Sequence, residues 1–483
     1  MSILDDLTPH LVWKYFEQIT QVPRPSKNEG KIIKYLEDFA KSHSLEYKKD
    51  KIGNIVILKP SSEAYADKPS VVIQSHMDMV CEKNSDVNFD FLTDPIKLSL
   101  EIEGWVSAQG TTLGADCGIG MAAALAVLAC NNIELPAIEA LFTVDEETGL
   151  SGALGLGEDM LESKYLINVD SEDEGEIFIG CAGGIDTIAT LDFLPEASEK
   201  GLSFFRIDIS GLCGGHSGDD IEKGRANSNK ILAELLHDAC RYELVLSHID
   251  GGNLRNAIPR ESYAICGIPV KYKELFLLDF EKLSTDIIND FRCTEPNFKI
   301  SINEMPPIET IIPSKVTKNL LRAILGVPNG VIAMSFAMPG LVKTSSNLAS
   351  IKIVNNKIII SSSQRSSNET SKYCTATSIE SVFSLAGFEV AHSEGYPGWS
   401  PNPDSKLVRI AESSYEKIFG IKPRLRAIHA GLECGLFLEK YPKLDMVSFG
   451  PTIRDVHSPS ERLNIASVEK FWKLLITTLQ SVG

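Results

Sequence analysis

Several short segments of this sequence carry imidazole or carboxylate groups beside glycine-rich or β-rich runs. They are Ser75-His76-Met77-Asp78, Gly114-Ala115-Asp116-Cys117-Gly118, Asp145-Glu146-Glu147-Thr148-Gly149, Asp170 with its neighbours, and Val456-His457-Ser458-Pro459. Imidazole nitrogen and carboxylate oxygen suit zinc without any thiolate. Two ions held close together repel, and a carboxylate that gives one oxygen to each offsets that repulsion. Asp116, on a turn that can aim inward, is expected to bridge. His76 and Asp170 then complete one ion's protein ligands, and Glu147 and His457 the other's. Asp78 lies two residues after His76 and is expected to orient its ring through a hydrogen bond. Adjacent residues in extended chain point to opposite sides, so one of Glu146 and Glu147 ligates while the other stays free. Glu146 is read as the free one, the base that takes a proton from the attacking water. Two divalent ions are expected: zinc for preference, with manganese or cobalt compatible with the same donors. Without cations, so many carboxylates would repel and partly protonate.

Each segment alone says little. A lone Asp-Glu-Glu is more often a solvated turn, and a lone histidine after a strand is more often a core residue. The glycines from Gly114 to Gly120 lack the G-x-G-x-x-G or Gly-Lys-Ser/Thr of phosphate loops. What counts is that the pieces together supply a full two-ion donor set, each at a predicted strand end or turn.

The elements that must position them alternate. Leu11 to Ile19 and Gly30 to Ser42 read as amphipathic helices, with Val22-Pro23-Arg24-Pro25-Ser26 a stiff turn between them. Asn54 to Leu58, Ser70 to Gln74, Ala137 to Val144 and Tyr165 to Val169 read as strands, and an Ala-rich helix runs from Met121 to Ala129. This predicts an α/β domain with a mainly parallel sheet, whose strand C-terminal ends are where ligands bind. After about Gly184 the texture changes to half-exposed strands among helices, the α+β pattern of a second domain. The α/β texture returns at about His392. The predicted organisation is a catalytic domain over residues 1–186 and 394–483, with an inserted lid over 187–393.

A chain of 483 residues exceeds what one core usually serves. Its 65 acidic against 47 basic residues give a formal charge of −18, which repels phosphate backbones and argues against nucleic acid. Met1 to Pro25 lacks a basic start followed by an apolar run. The longest apolar stretch, Ile119 to Cys130, is too short to span a bilayer. The cysteines form no C-x-x-C pair. A cytoplasmic protein with reduced thiols and no membrane partner is the expectation.

Taken together, Ser75 to Val80, Gly114 to Gly120, Asp145 to Gly149, Asn168-Val169-Asp170-Ser171-Glu172 and Val456 to Pro459 resemble the aminoacyl-histidine dipeptidases. These are the Xaa-His, carnosinase-like members of the di-zinc aminoacylase and carboxypeptidase clan. The blocks run in the family's order along essentially the whole chain. The resemblance implies a metallopeptidase that hydrolyses dipeptides, including those of β-Ala-His type. It also implies a cis Asp116–Cys117 peptide, and further roles in the lid. In Gly214-Gly215-His216-Ser217-Gly218, His216 would polarise the scissile carbonyl, reaching the neighbouring subunit of a homodimer. Asn256 would bind substrate, and Arg365, in Ser363-Gln364-Arg365-Ser366-Ser367, would meet its C-terminal carboxylate. Gly431, in His429-Ala430-Gly431-Leu432-Glu433-Cys434-Gly435, would lie at the pocket edge. The competing readings are an N-acyl amino acid deacylase or tripeptidase of the same clan, an inactive metal-binding scaffold and, more remotely, a nucleotide-binding protein.

Overall fold

The computed structural model describes residues 3–482. The chain divides into two compact units, one comprising Met1–Cys181, Trp399–Ala427 and Leu432–Gly483, the other Ala182–Gly398 with Ile428–Gly431.

The first unit is built on an eight-stranded sheet. Its centre is a parallel run in the order Ile138–Thr143, Val71–His76, Tyr165–Asn168, Asp445–Ser448. Antiparallel strands flank this run, Ile55–Lys59 and Glu46–Lys49 on one side and Glu176–Cys181 on the other. Every residue of Val71–His76 and of Ile138–Thr143 is buried, as the unbroken apolar runs of a two-sided sheet require. Helix Ala115–Ala129 packs on Val71–His76, and His10–Thr20 packs on that helix in turn. In the parallel register His76 lies opposite Thr143 and Gln74 opposite Asn168. The segments holding Asp78, Glu146, Glu147 and Asp170 therefore all leave the sheet at one edge.

Two details differ from the sequence reading. Helix Ala115–Ala129 starts earlier than Met121, although Asp116 (φ −80°, ψ 113°) and Cys117 (φ −97°, ψ 35°) depart from helical geometry and their shared peptide is cis. Its apolar residues show no amphipathic period because almost all of them are buried. The segment after Ile138–Thr143 is not extended. Asp145 takes a left-handed conformation (φ 51°), Glu146–Gly149 forms one helical turn, and Leu150 is left-handed again (φ 54°). The turn folds back onto the strand end at Gly152, where a Cβ would stand 2.2 Å from the Val144 carbonyl oxygen.

The turn before helix Ala115–Ala129 is clamped from both sides. Arg24, 2% exposed, donates to the carbonyls of Met77 (3.1 Å), Asp78 and Gly114. A Cβ on Gly114 or Gly118 would lie 2.6 or 2.7 Å from its Nη2, so both positions must be glycine for the guanidinium to fit. Opposite it, the buried Glu461 carboxylate accepts N–H groups from Leu113 (2.7 Å), Gly114 (2.9 Å), Ala115 (2.7 Å) and Asp116 (3.4 Å). These amides start a helix and have no intrahelical partner, and an anion there also suits the helix dipole.

The second unit carries a nine-stranded antiparallel sheet, ordered Lys299–Met305, Leu202–Ser210, Ser262–Pro269, Val245–Gly251, Val342–Val354, Lys357–Ser366, Gly183–Asp192, Glu389–His392. Gly330–Met334 also pairs with Val342–Val354. Phe205, Ile207 and Ile209 alternate inward along Leu202–Ser210. They share a core with Leu232 and Leu236 of helix Ser228–Ala239, Phe276 of Lys273–Phe291, Leu321 of Ser314–Gly326 and Phe383 of Glu369–Leu385. Among the described residues, no helix is long and apolar enough to cross a membrane.

Glu461→Gln tests the clamp. An amide in that place must turn its NH₂ toward backbone N–H groups, and a buried donor left without an acceptor costs about 1–3 kcal/mol. The thermal midpoint followed by circular dichroism is expected to fall; an unchanged midpoint would show that the carboxylate does not hold the turn.

Candidate active site

His76 ends its strand and is 1% exposed. Its Nε2 stands 3.0 Å from Asp116 Oδ1 and 3.3 Å from Asp170 Oδ1. His457 Nε2 stands 3.2 Å from Asp116 Oδ2 and 3.0 Å from Glu147 Oε2. Asp116 thus turns one oxygen toward His76 and Asp170 and the other toward His457 and Glu147. His457 reaches this position from a turn in which both it (φ 59°) and Asp455 (φ 54°) are left-handed. That conformation is uncommon outside glycine, but Asp and His adopt it more readily than most residues. It is held by the Ser458 hydroxyl donating to the Asp455 carbonyl (2.7 Å) and by the Arg462–Asp455 ion pair (2.8 Å).

Asp78 is fully buried and uses both oxygens. Oδ1 lies 3.2 Å from His76 Nδ1 and accepts the Glu146 N–H (3.1 Å). Oδ2 accepts from the Ser26 hydroxyl (2.7 Å) and the Glu147 N–H (3.3 Å). Burial alone would raise its pKa, but the hydrogen bond and charge of His76, with help from Ser26 and the Glu146 N–H, bring it down to about 2. One carboxylate therefore fixes the imidazole and the backbone of the Glu146-Glu147 turn together. The Glu146 carboxylate makes no hydrogen bond or ion pair with any described residue. It is close enough to His76, Asp170, Glu433 and Glu147 to feel their charges.

The electrostatics state what the site lacks. Burial would lower the His76 pKa, yet the charge of Asp170 and hydrogen bonds to Asp116, Asp170 and Asp78 drive it well above the usual range. Hydrogen bonds to Asp116 and Glu147 outweigh burial and lift His457 to about 11. Burial lifts Asp170 to about 6 against the opposing charge of His76. It also lifts Glu146 well above the carboxylate range, with Asp170, Glu433 and Glu147 adding to it. Imidazoles that hold their protons, with Asp78 and Asp116 lowered beside them while Glu146 and Asp170 are raised, mark a pocket crowded with negative charge.

Two further observations fit divalent ions. Glu147 Oε1 is buried without a hydrogen bond, and Asp170 Oδ1, also buried, has only the 3.3 Å approach of His76 Nε2. Donor atoms of His76, Asp116 and Glu147 lie within 4.8 Å of one another, and so do those of His76, Cys117 and Asp170. The Cys117 thiol, in contrast, donates to the Val169 carbonyl (3.4 Å), and burial keeps it protonated. The oxygens are the better donors, and the set as a whole fits hard to borderline divalent ions.

Sequence reasoning missed Glu433, which belongs to the same edge. It is 2% exposed; its Oε2 accepts from Gln74 Nε2 (2.6 Å) and Thr143 Oγ1 (2.9 Å), while Oε1 has no partner. Burial, with Asp170 adding, lifts it to about 8. Its segment had drawn notice only for Gly431. The available signal was Gln74, a polar residue in a strand buried on both faces, which needs a buried partner. Arg24 and Glu461 also escaped notice, since neither sits near the other or near Gly114 in sequence.

The second unit gathers the remaining residues. His216 pairs with Ala257 in a short antiparallel contact, and the Ser217 N–H donates to the Asn256 carbonyl (2.8 Å), which sets the exposed Asn256 beside the His216 turn. The N–H groups of Gly218 and Asp219 approach His216 Nδ1 at 3.3 and 3.2 Å. Asp219 Oδ2 stands 3.5 Å from the same nitrogen, so the ring is held through Nδ1 by its own turn. Arg365, 8% exposed, donates from Nη1 to the Tyr396 hydroxyl (2.9 Å), while its Nε has no partner. His429 Nε2 meets the Ser345 hydroxyl (2.7 Å), and burial together with the charge of Arg365 lowers its pKa to about 4. A Cβ on Gly431 would come within 3.0 Å of the Tyr396 ring.

Known proteins share this arrangement of chain. The model of peptidase family M20/M25/M40 matches residues 72–481. A cytosol non-specific dipeptidase of Escherichia coli (strain K12) is 38% identical over 483 residues, covering 100% of this chain and 99% of that protein. The crystal structure of an aminoacylhistidine dipeptidase from Vibrio alginolyticus superposes with a TM-score of 0.95 at 39% identity, covering 100% of this chain and 98% of that one. The aminopeptidase PepT from Bacillus cereus ATCC 10987, at TM-score 0.61 and 18% identity over 99% of each chain, shares the fold. The chain belongs to peptidase family M20/M25/M40.

Proposed function

We propose that this peptidase is a two-metal dipeptidase, active on Xaa-His substrates including those of β-Ala-His type. The observation that supports this most is the division of the Asp116 oxygens, Oδ1 facing His76 and Asp170, Oδ2 facing His457 and Glu147. His76, Asp116 and Asp170 would hold one ion, and Asp116, Glu147 and His457 the other. Two such ions, zinc for preference, would supply a Lewis acid for the carbonyl and a water of lowered pKa. The Glu146 carboxylate takes the proton of the attacking water and delivers it to the leaving amine. Its lack of other partners among the described residues leaves it free for both halves of that task. Asp78 keeps the His76 ring in place and ties it to the backbone that carries the base.

The second unit supplies recognition. His216 Nε2–H donates to the carbonyl oxygen as negative charge grows there, and Asn256 binds beside it. Arg365 binds the C-terminal carboxylate, for which its planar fork is suited. Burial without a full set of partners keeps its remaining donors available. A homodimer is supported by the strand Gly330–Met334, whose one strand partner among the described residues is Val342–Val354. Val331, Ile332, Met334 and, just beyond, Phe336 are exposed on it, and an unpaired apolar strand is a surface that proteins normally cover. The names of the E. coli and V. alginolyticus relatives support a dipeptide substrate, and the former supports a cytosolic setting. Assay of β-Ala-His, N-acetyl amino acids and tripeptides with defined metals decides between this reading and a deacylase or tripeptidase; turnover of none of them would leave a metal-binding scaffold.

Glu146→Gln is expected to retain metal while losing turnover by about 100- to 10,000-fold. Elemental analysis beside the rate checks this, and a variant that loses metal but keeps its rate per bound metal would remove the role. Chelation is expected to lower the thermal midpoint: an ion present at about 1,000 times its Kd stabilises by about 4 kcal/mol. Equal midpoints before and after dialysis against a chelator would contradict the site. His216→Ala should mainly lower kcat, by the equivalent of about 2.7–4 kcal/mol, whereas Arg365→Ala should mainly raise KM. If His216 serves the partner's site, mixing the two inactive subunits, His216→Ala and Glu146→Gln, restores activity. No recovery despite demonstrated subunit exchange would refute that arrangement.

A further inference from the structure

Tyr396 sits in no helix or strand, and no recognisable motif marks it. Its surroundings nevertheless fix it closely. Its backbone forms an isolated antiparallel bridge with Gly184: the Tyr396 N–H donates to the Gly184 carbonyl (2.8 Å) and the Gly184 N–H to the Tyr396 carbonyl (3.0 Å). The carbonyl also accepts from the buried Lys372 Nζ (2.6 Å). The ring lies between two glycines. A Cβ on Gly184 would stand 2.7 Å from Cε1 and Cζ and 2.8 Å from the hydroxyl; one on Gly431 would stand 3.0 Å from Cε2. Neither glycine has a positive φ. The space taken by the phenol, rather than backbone conformation, is what excludes a side chain at Gly184 and crowds one at Gly431. The hydroxyl then meets Arg365 Nη1 at 2.9 Å.

Arg365 needs such support. It lies in the buried polar end of Lys357–Ser366, opposite Ser345. Among the described residues no carboxylate lies within ion-pair distance of it, although the Asp219 charge acts on it from farther off, and its Nε has no partner. A guanidinium that binds a carboxylate through two parallel bonds must be held in one plane, and a hydroxyl on Nη1 supplies that restraint without neutralising the charge. We infer that Tyr396 is the positioning residue that orients the Arg365 guanidinium for the substrate's C-terminal carboxylate, its ring kept in register by Gly184 and Gly431. The inference rests on the proposed role of Arg365. It also gives Gly431 a reason to be glycine that requires no direct contact with substrate.

The test is a set of steady-state measurements on the metal-loaded enzyme with a dipeptide and with the same dipeptide as its C-terminal amide. Tyr396→Phe removes one oxygen and keeps the ring between its glycines. It is expected to raise KM for the free acid by about 10-fold or more with kcat nearly unchanged, the loss of one hydrogen bond to a charged group. KM for the amide should not move. Tyr396→Phe in an Arg365→Ala background should add nothing, since both changes remove one function. Gly184→Ala, which forces the ring aside while leaving the hydroxyl in the sequence, should reproduce the KM effect of Tyr396→Phe. If Arg365→Ala raises KM for the acid and Tyr396→Phe does not, or if the two add in full, the positioning role is wrong and the reading of Arg365 stands. If Arg365→Ala leaves KM for the acid unchanged, the reading of Arg365 fails and the positioning role fails with it.

Discussion

Packing Asp78, Asp116, Glu146, Glu147, Asp170 and Glu433 at one edge of a buried sheet is the constraint on which the first unit depends. Charges of one sign in a region of low dielectric cannot all ionise unless cations are placed among them. Two imidazoles cannot compensate so many carboxyls, and the directions of the pKa shifts record the shortfall. The arrangement makes sense as a site for divalent ions, and the surrounding structure can be understood as what keeps it from dispersing when none is bound. Asp78 has both oxygens engaged by four groups, three of them fixed to the sheet edge or the turn that follows it. Glu433 is tied to Gln74 and Thr143 of the neighbouring strands.

The clamp on the Gly114 turn follows the same logic with the signs exchanged. Arg24 takes carbonyl oxygens and Glu461 takes N–H groups, so each face of the turn meets the charge its dipoles favour. A buried arginine without a directly paired carboxylate is costly in general. Here the carbonyls of three residues surround it, and Asp78 and Glu461 act on it at longer range, although burial still lowers its pKa. The outcome is that Asp116 is placed by backbone contacts from residues far away in sequence. Its two oxygens are left outside the clamp, one facing His76 and the other His457.

That distance explains what the sequence could and could not show. Donor types at strand ends were legible because a parallel sheet brings its C-terminal edges together whatever the connections do, and His76, Glu147 and Asp170 needed only that. The extended geometry assumed for Glu146 and Glu147 was wrong in detail: the left-handed Asp145 turns the chain into a helical turn instead. Propensity gives no warning of this, because tolerance of a left-handed conformation is a property of the site and of Gly152 packed against Val144. Arg24, Glu433 and Glu461 were illegible for a different reason. Burial is what makes a charged residue informative, and no local pattern in Val22 to Ser26 or Ser458 to Glu461 marks those side chains as buried.

The second unit shows where pattern reading fails and why the failure is informative. Along Lys357–Ser366 apolar residues alternate inward at Ile358 and Ile360, but from Ser362 onward every residue is buried, polar ones included. The partner strand behaves likewise: Thr344, Ser345, Ser346 and Asn347 are all buried, which an alternation of apolar and polar residues does not announce. Between the two regimes the register shifts at Leu348 and Ser350. The extra residue, Ala349, lies on Val342–Val354, so that strand's alternation changes phase there, while Lys357–Ser366 keeps a continuous register with Gly183–Asp192 up to Arg365. A fold gains little stability from a buried patch of hydroxyls, amides and one guanidinium. Its partly unmatched hydrogen-bonding atoms, Arg365 Nε, Gln364 Nε2 and Ser346 Oγ among them, are a cost to the protein alone. Local rules broken without structural gain point to a site built for a ligand. In this chain the break falls on the strands that hold Arg365 and Ser345, and, through the Ser345 hydroxyl, on His429, two residues before the glycine that makes room for Tyr396.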